Sequence, residues 1–517
     1  MRRALACLTA FACAAALAVP AAGAAPADLD RSFGGGDGIA EVAGPAGALP
    51  QEAAGRMAIG PNDEIFVLYS DYPPCTPPPF DCRLELSVAR FTPNGELDPT
   101  FATQPQLVFD HSSPYNHEFE LAVGTDGKPV VAAYGGGRGL VLARFGLDGR
   151  LDPTFGEGGV IPSTGYHGVE GANDYPKLAV QADGKVVVAV QGHGEGPTRD
   201  LIVARFLADG GIDPGFGSGG EAVLPLETQT RPAGVFVAAN GSITVPVPLC
   251  CLDTSGEQLT PEGLDVVRLT AAGQPDPAWG GDGSLFVPTP GGVGMLEAAT
   301  PVGDGLLLSI ERSTPTVSTV GELLQLTPGG TADPQFGSNG GLRLFSRVGS
   351  IDPRDLTIDA KGRVVGVGWS SRIGVFRLRP DGGRDRTFNG GERIVLPYGG
   401  GGSTKYEVAV QSSGRILAFG ESGLGATKRF GLVALRGGTD HSRCLGKKAT
   451  IVGTAGRDKL IGTSHRDVIV ALGGADEVRG MAGPDVICGG KGKDRLLGGA
   501  GKDEVRQDPK ARRKAVR

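Results

Sequence analysis

The chain is poor in aromatic residues. Phe, Trp and Tyr make up 6% of its 517 residues, and only Trp279 and Trp369 are indoles. Too few tryptophans are present to build a stacking platform for a sugar or a quinone, and both align with strand or turn positions of the repeat described below. Long apolar runs are missing as well. After the N-terminal stretch, none approaches the roughly 20 residues that a spanning helix requires. Surplus positive charge is also absent: the formal net charge is −7, which argues against a broad nucleic-acid-binding surface. Neither G-x-S-x-G nor H-E-x-x-H occurs, so a nucleophile elbow and a zincin helix are excluded.

What is abundant is glycine, 87 of 517 residues, against a usual share of about 7%. Many turns and short strands follow from that. Residues 1–24 read as a targeting segment: Arg2 and Arg3, the apolar run "ALACLTAFACAAALAV", then "AGA" ahead of Ala25. An exported, soluble mature chain of about 490 residues is expected, with Arg2 and Arg3 removed and the net charge at −9. Cys7 and Cys13 leave with the leader. Cys75, Cys82, Cys250, Cys251, Cys444 and Cys488 remain, an even count that favours disulfides in an exported chain. Cys75 and Cys82, around "CTPPPFDC", form the natural local pair. Vicinal Cys250 and Cys251 bond each other only with strain, or stay free.

The chain repeats itself. "ARFGLDGRLDPTFGEGGV" at 143–160 recurs as "ARFTPNGELDPTFATQ", "ARFLADGGIDPGFGSGG", "VRLTAAGQPDPAWGGDG", "LQLTPGGTADPQFGSNGG" and "FRLRPDGGRDRTFNGG", with a leading half-copy at 28–38. The aligned aspartates are Asp30, Asp98, Asp152, Asp213, Asp276, Asp333 and Asp385, and the last unit ends near Gly438. Each unit holds a short strand after the glycine turn, a hairpin such as "KLAVQADGKVVVAV", and a closing strand such as "DLIVARFL". Asp-Gly and Lys-Gly turns between β-rich runs are strong hairpin signals. Seven four-stranded units that cannot bury their faces alone predict a seven-bladed β-propeller rather than a long solenoid. The strand near 38–43 is predicted to pair with the last blade and close the ring.

The pattern "LDPTFG…LAVQ.DGK.VVA…ARF" resembles the delta-60 repeat, a bacterial propeller family of exported proteins, over residues 28–438. The resemblance implies a fold and no shared activity. Gln325 stands where other units have Arg90, Arg144, Arg205, Arg268 or Arg377, and unit seven also lacks the arginine. "DPTFGEGG" could in principle cradle a phosphate, but it recurs with varied tails and no fixed Lys or Ser/Thr. It reads as an Asx-type turn that marks the seam between two blades.

The "DGK" hairpins and "LDPTFG" turns are predicted to share one face. The other face carries long, dissimilar loops at 70–85, 102–119, 161–176, 191–199 and 246–263, with the propeller cysteines and His111, His117, His167 and His193. Variable loops on a rigid scaffold are where binding concentrates. Asp110 and Glu118 flank the first histidine pair, and Glu195 follows His193, yet no catalytic set assembles from sequence and these side chains read as solvated.

From Gly453 a period of nine runs for six turns to Arg506: "GTAGRDKLI", "GTSHRDVIV", "ALGGADEVR", "GMAGPDVIC", "GGKGKDRLL", "GGAGKDEVR". The sixth position is always Asp: Asp458, Asp467, Asp476, Asp485, Asp494 and Asp503. The eighth is always aliphatic, predicted to point inward. This resembles G-G-x-G-x-D-x-U-x, the hemolysin-type (RTX) nonapeptide that binds Ca²⁺ in a parallel β-roll. Carboxylates and the carbonyls of glycine turns are the hard oxygens that Ca²⁺ takes. Gly474, Gly483, Gly490, Gly492, Gly499 and Gly501 complete the expected metal set. A site between one turn and the next but one allows at most four, the best among Asp476, Asp485, Asp494 and Asp503, because His465 interrupts the second turn. A roll that has lost its metal is the plainer alternative. A Cys444–Cys488 bond would staple the segment's start to its fourth turn.

The sequence therefore predicts an all-β protein: leader 1–24, propeller 25–438, linker 439–452, roll 453–506 and a basic tail 507–517. A secreted or cell-surface monomer is expected, binding Ca²⁺ and an unidentified protein or glycan at the long-loop face, with no nucleic acid and no transmembrane segment. Non-enzymatic binding or adhesion leads; a secreted hydrolase or lyase working at the long-loop face is the rival. Carboxylates or histidines clustered at the mouth of the central channel would favour the rival.

Overall fold

The computed structural model describes residues 29–43, 55–71, 82–102, 107–111, 119–134, 140–161, 173–192, 200–225, 229–250, 263–288, 293–314, 317–338, 340–343, 351–369, 373–385, 387–389, 393–396, 406–422, 429–437, 443–452, 459–471, 474–490 and 492–507. Seven antiparallel sheets build the propeller. Blade one runs Gly55–Ile59, Ile65–Asp71, Cys82–Phe91, Leu107–His111 from its first strand to its last, and blade three runs Asn173–Val180, Val186–Gln191, Leu201–Phe206, Glu221–Leu224. The first strands of neighbouring blades pack on one another, Gly55–Ile59 against Phe119–Val123 and Tyr406–Val410, and Asp352–Ile358 against Val293–Val302 and Tyr406–Val410. They therefore line the axis.

Alternation with period two explains the core. Val186–Gln191 is buried along its whole length. Val186, Val188 and Val190 enter the apolar cluster shared with blade two, whereas Val187 and Ala189 enter the one shared with blade four. Seven such clusters lie between the seven blades. Blade four departs from the pattern. Its inner edge is two short pieces, Gln229–Thr230 and Phe236–Val237, and Pro232 lies between them in the sequence, a residue without the N–H that a continuous ladder needs.

Closure follows the sequence expectation. Ile39–Ala43 pairs antiparallel with Arg429–Leu435, from Ile39 opposite Val433 to Ala43 opposite Arg429, and forms the outermost strand of blade seven. The same permutation holds throughout, and it corrects the reading of the glycine turn as a seam. "DPTFGEGG" joins the third strand of blade two, Leu140–Arg144, to its own outermost strand, Val160–Ile161. A sequence unit and a blade are therefore offset by one strand.

The turn itself is a structural fixture, and its aligned arginine is the reason. Arg144 Nε donates to Asp152 Oδ2 at 2.9 Å, its Nη1 donates to Ala208 O in blade three, and its guanidinium lies 4.7 Å from the Phe155 ring centroid. Asp152 in turn caps its own turn, accepting from Thr154 N–H and Oγ1. Burial raises the Asp152 pKa, but Lys128, the Thr154 donors and Arg144 outweigh it and hold the carboxyl well below its usual range. Arg205 repeats this with Asp213, Ala271 O and Phe216, as do Arg90, Arg268 and Arg377 in their blades. Each therefore ties one blade to the next.

Two units lack the arginine and differ in how they make up for it. In blade five Gln325 Nε2 reaches Asp333 Oδ2 at 2.7 Å, a neutral substitute. In blade seven Ala434 holds the arginine position, and a guanidinium arrives from the adjacent hairpin instead. Arg415 Nε donates to Asp30 Oδ2 at 2.7 Å and Nη1 to Pro93 O of blade one at 2.7 Å, beneath Phe33.

Removing residues 38–43 leaves blade seven without its edge strand. The full chain is then expected to lose several degrees of melting temperature, read by tryptophan fluorescence. An unchanged melt would show that ring closure does not depend on that strand. Arg205→Met removes the cation from a buried pair, and a loss of about 3 kcal/mol in urea unfolding is expected; a loss below about 0.5 kcal/mol, within the range of ordinary surface changes, would refute the role.

Candidate functional site

The C-terminal strands are short and parallel. Ile451–Val452, Val468–Val470, Val486–Cys488 and Glu504–Arg506 form one sheet, and Lys459–Ile461, Glu477–Arg479 and Arg495–Leu497 the other. Partners are 18 residues apart, as in Ile469 opposite Ile487. Successive nonapeptides thus alternate between two sheets, as in a β-roll. Ile469, Val478 and Ile487 are fully buried between the sheets, with Leu460 and Leu496 packed against them. Val505 departs from the inward expectation: it is 43% exposed, because no described turn stacks beyond it.

The aspartates bind the stack along its length. Asp467 N–H donates to Asp485 Oδ1 at 2.8 Å, Asp476 N–H to Asp494 Oδ1 at 3.1 Å and Asp485 N–H to Asp503 Oδ1 at 3.0 Å. Each carboxylate therefore spends one oxygen on the turn two nonapeptides earlier. The second oxygens differ. Asp467 Oδ2 accepts from Thr463 N–H and Oγ1, and Thr450 Oγ1 donates to its Oδ1. Asp494 Oδ2 accepts from Gln507 Nε2 at 3.0 Å. Asp485 Oδ2 is buried with no hydrogen-bond partner. Burial raises the Asp485 pKa, and the charges of Asp503 and Asp467 add to that, against the N–H of Asp467.

The turns stack at backbone distance. Gly492 has φ +134°, and a Cβ there would lie 1.5 Å from Gly474 O; at Gly501, φ +151°, it would lie 2.0 Å from Gly483 O. Only glycine fits such an approach, and it leaves main-chain carbonyl oxygens facing the aspartate-bearing turns. Gly474, Gly483, Gly490 and Gly499 also have positive φ. Among the described residues, no three His, Cys, Asp or Glu side chains gather into a metal cluster, so any cation here draws on mixed carboxylate and carbonyl donors. A buried carboxylate oxygen without a partner, beside stacked carbonyls, fits a hard divalent cation. Asp458 lies outside the described residues.

Cys444 and Cys488 are disulfide-bonded. With Ala449, Val468, Val470 and Val486 they form a small apolar cluster on one sheet. Cys75, Cys251, His117, His167, His193, Glu118 and Glu195 lie outside the described residues, as do the side chains of Cys82, Cys250, Asp110 and His111, so most of the long-loop face does too.

Within the propeller, ionisable groups collect along the axial strands. Around Arg354 converge Glu297 at 2.6 Å, Asp352 at 2.5 Å and Glu311 at 3.4 Å. Burial raises Glu297 and Asp352, Arg354 opposes it, and the mutual repulsion of the three carboxylates carries both upward. One position recurs at the same place in the first strand of five blades: Arg56, Glu120, Lys177, Asp355 and Glu407. The sequence signal was present, as the residue that opens "RMAI", "ELAV", "KLAV", "DLTI" and "EVAV", but it reads as a solvated strand end until the blades are assembled. Trp279, by contrast, is core: it is 1% exposed and its Nε1 donates to Val266 O at 2.8 Å.

Residues 449–478 and 470–505 match the family model of the RTX calcium-binding nonapeptide repeat. Residues 84–101, 125–155 and 181–216 match a domain of unknown function (DUF5122) beta-propeller. No curated protein matches the chain. Similar solved structures include a polysaccharide lyase of family PL25, an ulvan lyase, with 10% identity, 77% of this chain and 94% of that one covered, and a TM-score of 0.44. An alpha-L-arabinanase from Penicillium chrysogenum has 12% identity over 77% of this chain and 97% of its own, at a TM-score of 0.38. The beta-propeller domain of the Trilobed protease from Pyrococcus furiosus has 9% identity over 71% and 91%, at 0.39.

In the RTX-like turns the disulfide closes a loop of sequence separation 44. Cys444→Ser with Cys488→Ser is expected to destabilise the segment by up to about 4 kcal/mol, seen as a lower unfolding temperature of its far-UV signal at fixed calcium. An unchanged transition would show that packing alone holds the first sheet.

Proposed function

We propose that the chain is an exported, calcium-dependent binding or adhesion protein in which the RTX-like turns hold Ca²⁺ and the propeller presents the long-loop face to a protein or glycan. The observation that carries the calcium reading is Asp485 Oδ2, buried and without a hydrogen-bond partner between turns rich in carbonyl oxygen. Asp476, Asp485, Asp494 and Asp503, with carbonyls of the glycine turns, are the residues that would hold the ion. Asp467 and Asp494 are the poorer ligands, since Thr450 and Thr463 occupy the oxygens of the first and Asp476 N–H and Gln507 those of the second. Bound Ca²⁺ supplies the positive charge that offsets these buried carboxylates. Because burial and neighbouring carboxylates raise Asp485, protons compete with the metal and affinity falls as pH falls.

A hydrolase or lyase is the second reading, favoured by one observation: the convergence of Glu297, Glu311 and Asp352 on Arg354 at the axis. Asp352 opens its strand at the long-loop end. Loss of polysaccharide cleavage in Glu297→Gln, where the parent cleaves, would move the assignment to that reading.

Calorimetric titration of the metal-stripped full chain with Ca²⁺ tests the first. Heat of binding and a gain of β signal are expected, with at least one site lost in Asp485→Asn; at a free ion concentration 100 times Kd, stabilisation should reach about 2.7 kcal/mol. No heat and no spectral change would leave the roll a metal-free scaffold.

A further inference from the structure

We infer that Asp355 and Glu407 form a proton-binding pair that links the closing seam of the propeller to pH. The pair lies where blades six, seven and one meet, the same sector that the N-terminal strand closes. Asp355 Oδ2 accepts from Val408 N–H of blade seven at 2.7 Å, and Oδ1 accepts from Leu356 N–H at 2.8 Å. Glu407 of blade seven accepts in the same way from Met57 N–H of blade one. Two carboxyl groups thus stitch three axial strands together across blade boundaries.

The charges facing them do not balance. Arg56 is the cation of the sector, and it is shared: it makes a two-point contact with Glu120 at 3.2 and 3.1 Å and stands 3.5 Å from Glu407. Lys177 also turns to Glu120. Arg354, next to Asp355 in the chain, is drawn to Glu297, Glu311 and Asp352. Among the described residues, Asp355, Glu407 and Glu120 therefore place three carboxyl groups around one shared guanidinium and one ammonium, on half-buried axial strands. Full ionisation would crowd like charges together with only part of their surface open to water, and uptake of a proton relieves that.

Burial pushes Glu407 up to about 8 and Asp355 up to about 7; Arg56 opposes this in both, while Glu120 repels both and Asp355 repels Glu407. The sign follows from linkage. A carboxyl whose folded pKa is raised binds its proton more tightly in the fold, so its contribution is complete only below the unfolded pKa. That contribution declines as pH rises from the unfolded value, about 4, through the folded one. A proton on Asp355 Oδ1 leaves Oδ2 to accept from Val408 N–H across the blade boundary, at the expense of the local bond from Leu356 N–H.

The test uses the full chain at saturating Ca²⁺. Trp279 and Trp369 are the only tryptophans, and both lie in the propeller, so their fluorescence follows its unfolding apart from the roll. The melting temperature should fall by about 5 °C or more between about pH 5.5 and about pH 9. Asp355→Asn with Glu407→Gln keeps an acceptor oxygen at both positions and should remove most of that slope. Glu157→Gln, on an exposed turn, should leave it in place. A wild-type melt independent of pH, or an undiminished slope in the double variant, overturns the inference. Should the double variant fail to fold, calorimetry of the wild type near pH 7 in two buffers of different ionisation enthalpy decides. Net release of protons on unfolding that persists in Glu297→Gln with Asp352→Asn supports the pair, and loss of the release there, net uptake or no exchange refutes it.

Discussion

A blade of this propeller has no solvent face to spare. Its central strands are buried on both sides, so each sheet is completed only by the sheet before it and the sheet after it. That mutual dependence governs the rest. It demands alternating aliphatic residues in every central strand, it makes the ring the smallest stable unit, and it leaves charge only the margins: the turns at one end and the strand edges at the axis. The guanidinium ties and the axial carboxyls are the two forms that polar chemistry takes at those margins.

The two forms differ in how fully they are neutralised. Each turn aspartate meets a cation within hydrogen-bond distance, except in blade five, where an amide does the work, and Asp30, Asp98, Asp152, Asp213 and Asp385 are held below the usual carboxylate range. At the axis the acids outnumber the bases in reach. The first arrangement loses its contribution only in acid, whereas the second responds to pH nearer neutrality. The C-terminal turns present a third case, in which carboxylates stack along a single line and the opposite charge has to come from outside the chain.

Most of the architecture was legible because it rests on short-range rules. Asp-Gly turns, alternating valines and a nine-residue period each specify local geometry, and the closing strand near 38–43 follows from counting strands. The offset between sequence unit and blade was not legible, since "DPTFG" punctuates the sequence at a point where the sheet continues. Arg415 was hidden for a related reason: alignment compares like positions, and the missing arginine of unit seven is supplied from an unlike one. In the roll, the sequence separates the last four aspartates from the first two but does not rank those four. Thr450, Thr463 and Gln507 distinguish individual aspartates only once the turns are stacked, since Thr450 and Gln507 come from outside the turns they cap. The axial position was overlooked because a charged residue at the start of a strand ordinarily faces water.

The closing strand also orders events in time. Ile39–Ala43 is among the first parts of the propeller to be synthesised, yet its partner, Arg429–Leu435, is nearly the last. Until then the early strand has an unsatisfied edge and blade one lacks a neighbour on one flank, while six blades accumulate behind it. A chain built this way is exposed to pairing with the wrong edge for most of its synthesis. The apolar layers on either side of blade seven take in Leu29 and Ala40 from the N-terminal end, so they are complete only when the two ends of one polymer have met.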